Sequence, residues 1–239
     1  MRLFGSTRAK RRLRRWLLHG LLALLLVQLV PIALFRWVPP PTTAFMLQAR
    51  HGGLADAPAC RAVDYRWADW AAIAGHAKLA VVASEDQRFP QHWGLDVGAI
   101  QDAVADGIGS GRIRGASTIT QQLAKNLFLW PERSWLRKGL DAYLAVLLEL
   151  GWTKQRILEV YLNTAQFGAC TFGVEAAAQR FYGRSAAELD ARQAALLAAV
   201  LPNPRVLHAH RPSAYLEERA AWIQAQMQGL GGPPSLADL

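Results

Sequence analysis

Apolar and polar positions along the 239 residues fall into two regimes. Residues 16–35 form an almost unbroken apolar run in which only His19 and Gln28 are strongly polar. At ~1.5 Å per residue, a helix of that length measures ~30 Å and spans a bilayer. A cleavable signal peptide has an apolar core of roughly 7–15 residues and a small-residue cleavage site, so an uncleaved anchor over residues 16–38 is predicted. Pro31 lies within it, as membrane helices tolerate. Residues 39–62 are rich in Pro, Gly and Ala without periodicity and predict a linker.

Beyond the linker, apolar residues recur at helical spacing. The pattern predicts helices near 76–86, 96–108, 117–128, 135–150, 154–163, 173–182, 191–200 and 213–228. Ser117, Thr153, Asp190 and Ser213 stand at N-cap positions, and Gly183 and Gly229 follow helix ends. Residues 79–83 have strand-like composition but sit in a helical pattern. No alternating strands or Asn-Gly hairpins compete, so residues 63–239 are predicted to form one mainly α domain.

Charge sharpens this division. The formal net charge of +9 suggests a nucleic-acid binder until it is located. Arg2, Arg8, Lys10, Arg11, Arg12, Arg14 and Arg15 precede every acidic residue, leaving 20 basic against 18 acidic residues in the rest of the chain. The body therefore has no field that steers it to nucleic acid. A basic tail over residues 1–15 ahead of an apolar span places the N-terminus in the cytoplasm and the domain outside. A buried core helix, the competing reading of the span, has no need of such a flank.

Cys60 and Cys170 both fall on that outer, oxidising side, where a disulfide or two buried thiols are equally open. No CxxC or His/Cys ligand spacing is present, and no GxGxxG or P-loop offers a nucleotide site. The sequence requires no cofactor, and nothing in it supports a divalent metal.

Three segments carry candidate chemistry. In Ser84-Glu85-Asp86-Gln87-Arg88-Phe89-Pro90-Gln91-His92-Trp93-Gly94, acids follow an apolar run. A carboxyl leaving a buried helix end is partly desolvated, which raises its pKa toward that of a general base. Glu85 is the candidate, with Asp86, Phe89 and His92 in support; the plainer reading is a surface acid paired with Arg88. In the second segment, Gly115-Ala116-Ser117-Thr118-Ile119-Thr120-Gln121-Gln122-Leu123-Ala124-Lys125-Asn126, Thr118, Gln122 and Lys125 share one helix face while Ile119, Leu123 and Leu127 share another. A polar face near a helix N-terminus suits a phosphate, and equally an ordinary solvated face. The third, Arg133-Ser134-Trp135-Leu136-Arg137-Lys138-Gly139-Leu140-Asp141, pairs Arg137 with Asp141 at i, i+4. Arg137 or Lys138 can bind a diphosphate and Asp141 is a second carboxylate; the plainer reading is a solvated charged turn. The stretches 156–163 and 172–183 read as chiefly structural.

Singly weak, these segments are specific in their order. With Arg156-Ile157-Leu158-Glu159-Val160-Tyr161-Leu162-Asn163 and Phe172-Gly173-Val174-Glu175-Ala176-Ala177-Ala178-Gln179 they make five motifs over residues 78–204. In these the chain resembles glycosyltransferase family 51, the peptidoglycan glycosyltransferases, in its monofunctional, singly anchored form. The resemblance implies a mainly α, lysozyme-like domain with a cleft between a larger lobe and a smaller membrane-touching one, sited on the periplasmic face of the bacterial inner membrane. It implies lipid II and the nascent glycan strand as substrates, and other cell-wall synthases as candidate partners. Carried over, Glu85 deprotonates the acceptor 4-hydroxyl, and Asp141 stands at the second acidic position. Ser117, Thr118, Gln122, Lys125, Asn126, Arg137 and Lys138 line the substrate cleft and its pyrophosphate.

Two positions depart from the pattern. Asp141 stands where the family has Glu, and Ala116 where it usually has Gly. A shortened acid can weaken positioning, since small misplacements cost ~100-fold in rate. The chain shows no SxxK motif, so the cross-linking activity of bifunctional relatives is not expected. The rival readings are a lysozyme-like lytic enzyme, which has no pyrophosphate to justify Lys125, Arg137 and Lys138, and a membrane-tethered scaffold that has lost activity.

Overall fold

The computed structural model describes residues 7–52, 59–110, 117–132 and 134–236; Gly115, Ala116 and Arg133 of the expected motifs lie outside them. Two compact units are present, Met1–Val38 and Pro39–Leu239. The first contains one long helix, α1 (Thr7–Phe35), with Pro31 inside it. It starts ahead of the apolar run because Arg and Lys are themselves good helix formers. Its stretch Arg11–Phe35 is long and apolar enough to cross a membrane, and apolar side chains such as Leu17 and Val27 are exposed.

The second unit comprises α2 (Ala44–His51), α3 (Gly75–Glu85), α4 (Val97–Ser110), α5 (Ile119–Phe128), α6 (Trp135–Gly151), α7 (Lys154–Thr164), α8 (Val174–Tyr182), α9 (Ala191–Val200) and α10 (Ala214–Gly229). Three short strands, β1 (Asp64–Tyr65), β2 (Gln166–Gly168) and β3 (Thr171–Phe172), form a sheet in the order β1-β3-β2. β1 runs parallel to β3, with Asp64 opposite Thr171, and β2 is antiparallel to it.

The core follows from the apolar faces. In α9, residues 194–200 are all buried, and their small side chains let α3 and α10 pack closely against them. The run at residues 79–83 is buried in α3, so the strand-like composition yields to helix. Each fully buried Leu or Val there contributes roughly 1.5–3 kcal/mol. A second group places α5 between α6 and α7, and Ile119, Leu123 and Leu127 of α5 face inward as their spacing predicts.

Most helix ends fall where expected, with Thr153, Asp190 and Ser213 as N-caps and Gly183 as a left-handed C-cap. Three details differ. The N-cap of α5 is Thr118, not Ser117: its Oγ1 accepts the Gln121 N–H while the Gln121 side chain accepts the Thr118 N–H. This reciprocal cap requires Glu or Gln three residues on, which Thr118 has and Ser117 lacks. Helix α10 runs through Gly229 and is capped by Leu230. Finally, the expected linker contains α2, whose Thr43 N-cap accepts the Met46 N–H and whose Gly52 closes the other end in the left-handed conformation.

Gly94 and Gly173 both need positive φ. At Gly173 a Cβ would come within 2.5 Å of the Asn163 carbonyl oxygen, and at Gly94 within 3.0 Å of Glu149. Within the stretch 156–163, Asn163 has a structural part: it is buried, accepts the Ala68 N–H and donates to the carbonyls of Ala68 and Glu159. Cys60 and Cys170 form a disulfide, which resolves the alternatives left open by the sequence.

Candidate active site

The apolar run of α3 ends at Glu85, the last helical residue, which is held half-buried at the rim of the core. Asp86 follows as the C-cap and turns inward. Its carboxylate meets His92 Nε2 at 2.9 and 3.0 Å and accepts the Ile119 N–H at 3.0 Å. A single buried acid thereby joins the end of α3 to the start of α5. His92 and the fully buried Phe89 lie beneath this junction, with ring centroids 6.3 Å apart. Asp86, next to Glu85 in the chain, is thereby held by His92 and the head of α5.

Glu85 Oε2 accepts a hydrogen bond from Gln122 Nε2 at 2.8 Å, and Gln122 Oε1 accepts one from the Tyr161 hydroxyl at 2.8 Å. Burial pushes the Glu85 carboxyl above its ordinary value; the bond from Gln122 and the charges of Arg219 and Lys125 oppose this. Tyr161 is fully buried, and burial together with the nearby Glu85 and Asp86 drives its pKa well up. It therefore stays protonated and fixes the Gln122 amide with its nitrogen toward Glu85.

Cavities open on both sides of this pair. One, of about 270 Å³, is walled by Glu85, Arg88, Asp96, Ser117 and Thr118. The other, of about 190 Å³, is walled by Phe45, Gln122, Lys125, Asn126, Tyr161 and Arg205. Thr118 is buried and donates to the Gly94 carbonyl at 2.6 Å, pinning the loop after Glu85 to the head of α5.

The cations stand beside them. Lys138 Nζ donates to Ser117 Oγ at 2.8 Å, so α6 reaches the first cavity through that serine. Burial lowers the pKa of Lys125, helped by Arg137 and Lys138 and opposed by Asp141 and Glu85. Burial also lowers Lys138. Lys125 therefore lies within the electrostatic reach of both carboxylates and both other cations. Arg137 is buried, donating through Nη1 to Asp141 at 2.7 and 3.0 Å and through Nε to the Glu132 carbonyl. Burial pushes Asp141 up from its ordinary value while Arg137, Lys138 and Lys125 pull it down. The contact made by Asp141 is the expected i, i+4 pair, which orients the guanidinium. Among the described residues, no three His, Cys, Asp or Glu side chains converge as a metal-ligand set.

A rim acid at a helix end, an amide that donates to it and neighbouring cations are thus brought together. A family model described as Transglycosylase matches residues 55–228 of this chain. The chain belongs to the transglycosylase family. It is 51% identical over 233 residues to the biosynthetic peptidoglycan transglycosylase of Pseudomonas putida (strain W619), covering 96% of this chain and 95% of that one. It is 49% identical to the protein of the same description from Ectopseudomonas mendocina (strain ymp), covering 96% and 94%. The match to its counterpart in Stutzerimonas stutzeri (strain A1501) is 50% over 214 residues, 89% and 87% of the two chains.

Within this transglycosylase domain the structure gathers Glu85, Ser117, Thr118, Gln122, Lys125 and Asn126 around the two cavities, with Lys138 tied in through Ser117. Sequence reasoning missed Tyr161, Arg219 and Phe45. Tyr161 is the one aromatic in the apolar stripe of α7, a faint signal. Arg219 comes from a distant helix and Phe45 from the expected linker, and no local pattern marks either.

Proposed function

We propose that this chain polymerises peptidoglycan glycan strands from lipid II, with Glu85 as the general base. Glu85 takes the proton of the acceptor 4-hydroxyl of N-acetylglucosamine. The freed oxygen attacks C1 of the donor N-acetylmuramic acid, the C1–oxygen bond to the polyprenyl pyrophosphate breaks, and configuration inverts from α to β. The electron pair leaves on the pyrophosphate, where Lys125, Lys138 and Arg137 stabilise the charge. Asp141 serves by holding Arg137, and Ser117 by holding Lys138.

The observation that carries this reading is the Tyr161–Gln122–Glu85 relay one helical turn from Lys125. It keeps a desolvated carboxylate as an acceptor of protons beside a cation that a glycan-cleaving enzyme would have no leaving group to justify. Trp93, Val97, Ile100, Trp135, Leu136 and Leu150 are exposed apolar side chains that would meet the bilayer holding the lipid substrate. The Cys60–Cys170 bond fits an oxidising periplasmic site, with residues 1–15 in the cytoplasm, 16–38 spanning the inner membrane and 63–239 as the catalytic domain.

The test is polymerisation of lipid II by the purified full-length chain. The unmodified protein yields long glycan strands, and Glu85→Gln loses at least ~1000-fold, as removal of an essential general base can. Appreciable turnover by Glu85→Gln would show that another group takes the proton. Release of fragments from finished sacculi with no polymer made would point to a lytic enzyme instead.

A further inference from the structure

Helix α2 lies in the stretch expected to be a linker, yet three observations make it part of the site. Phe45, in its first turn, helps wall the cavity that holds Gln122, Lys125 and Asn126. Its ring centroid lies 5.4 Å from Lys125 Nζ, within cation–π range. The helix is also fastened along its length. Thr43 caps its start, Gln48 Nε2 donates to the Leu129 carbonyl just past α5 at 2.9 Å, and the Cys60 N–H donates to the Ala49 carbonyl at 2.8 Å. Met46 and Ala49 are buried with Cys60 and Phe172, and the disulfide ties Cys60 to Cys170 beside β3. A passing segment would need none of these ties.

A ring face against an ammonium excludes water from one side while its quadrupole replaces part of the lost hydration. Lysine has a long, flexible stem, and without such a stop its head group would swing toward solvent. Held by the ring, the ammonium is already partly desolvated and oriented when an anion arrives, and this lowers the entropic cost of binding.

We propose that Phe45 is a positioning residue of the lipid pyrophosphate site: it holds the Lys125 ammonium at the cavity wall so that it meets the diphosphate of the lipid-linked sugar. This rests on the polymerase reading above. The segment that follows the anchor is then a working part of the cleft, and lipid substrate and membrane anchor are served by adjacent pieces of chain.

The full-length protein in detergent is titrated with farnesyl pyrophosphate and assayed with lipid II, comparing Phe45→Leu, which keeps apolar bulk, with Phe45→Tyr, which keeps the ring face. Phe45→Leu is expected to weaken farnesyl pyrophosphate binding roughly 3- to 10-fold and to lower kcat/KM by a similar factor, chiefly through KM, a split that lost packing against Met46 and Phe172 would not by itself produce. Phe45→Tyr stays within about twofold of the unmodified protein in both assays, as a retained ring face requires. In a Lys125→Ala background the Phe45→Leu loss disappears, because Phe45 acts through that lysine. The proposal is overturned if Phe45→Leu binds as the unmodified protein does, if its loss persists undiminished without Lys125, or if the unmodified protein fails to bind farnesyl pyrophosphate. Should the expected binding pattern appear while no polymer forms from lipid II, the polymerase reading falls and the role of Phe45 stands.

Discussion

At the scale of single residues, the decisive contact is a chain of three side chains rather than the acid alone. Tyr161 donates to Gln122, and Gln122, with its oxygen occupied, has only its nitrogen to offer Glu85. The bond from Gln122 favours the ionised carboxylate, against the burial that disfavours it. In the proposed role Glu85 works as a base only when deprotonated, so activity is expected to fall as pH drops through its raised pKa. Tyr161→Phe removes the hydroxyl at nearly constant volume and frees the amide to turn its oxygen toward Glu85, which a carboxylate repels. The Glu85 pKa then rises further, and the acid limb of the kcat/KM profile moves to higher pH, with partial recovery on the alkaline side. Lipid II turnover from pH 5 to 9 checks this; an unmoved acid limb would mean that Tyr161 serves packing alone. The lost buried hydrogen bond costs about 1 kcal/mol of stability in addition.

Elements were legible in proportion to how local their causes are. Helices α3 and α5 to α10 arise from apolar spacing and from caps within three or four residues, so their bounds could be read to within a residue or two. The inward face of α5 and the placing of Gln122 and Lys125 on its other face followed from the same periodicity. Helix α2 was hidden because its stability comes from outside: its buried Met46 and Ala49 need Phe172 and Cys60, far along the chain, to make a core. The short strands depend in the same way on pairing between residues 64–65 and 171–172. The disulfide has a measurable share in this arrangement, since its cysteines are 110 residues apart. Closing so long a loop restricts the unfolded chain, and its loss typically costs about 2–4 kcal/mol. A Cys60→Ala/Cys170→Ala variant of the full-length protein therefore melts earlier, and reductant lowers the midpoint of the unmodified protein while leaving the variant unchanged. A midpoint indifferent to reductant would show that the bond adds nothing to what Met46, Ala49 and Phe172 already secure.

For the whole molecule, the distribution of charge and apolar surface matters more than their totals. The excess of basic residues belongs to the first fifteen positions, so the +9 net charge says little about the body of the protein. The body instead exposes large apolar side chains, with Trp135 93% and Trp93 73% accessible. Left in water, such residues forfeit roughly 1.5–3 kcal/mol each relative to burial, so an apolar surrounding that takes them up would stabilise the protein there. Tryptophan suits the headgroup region in particular, where its apolar body and polar N–H are both satisfied. If these side chains seat the catalytic unit on the bilayer, they matter only when the substrate is drawn from it. The double variant Trp93→Ser/Trp135→Ser, assayed as the full chain in nanodiscs, should then lose roughly 10-fold or more in turnover of long-chain lipid II embedded in the same disc, the scale set by the lost interfacial burial. A water-soluble short-chain lipid II analogue should be polymerised at the unmodified rate, because the relay around Glu85 and the cations on α5 and α6 are untouched. An equal loss on both substrates would place the tryptophans within the reacting cleft or in the folding of the domain, and would remove the argument that this surface meets the membrane.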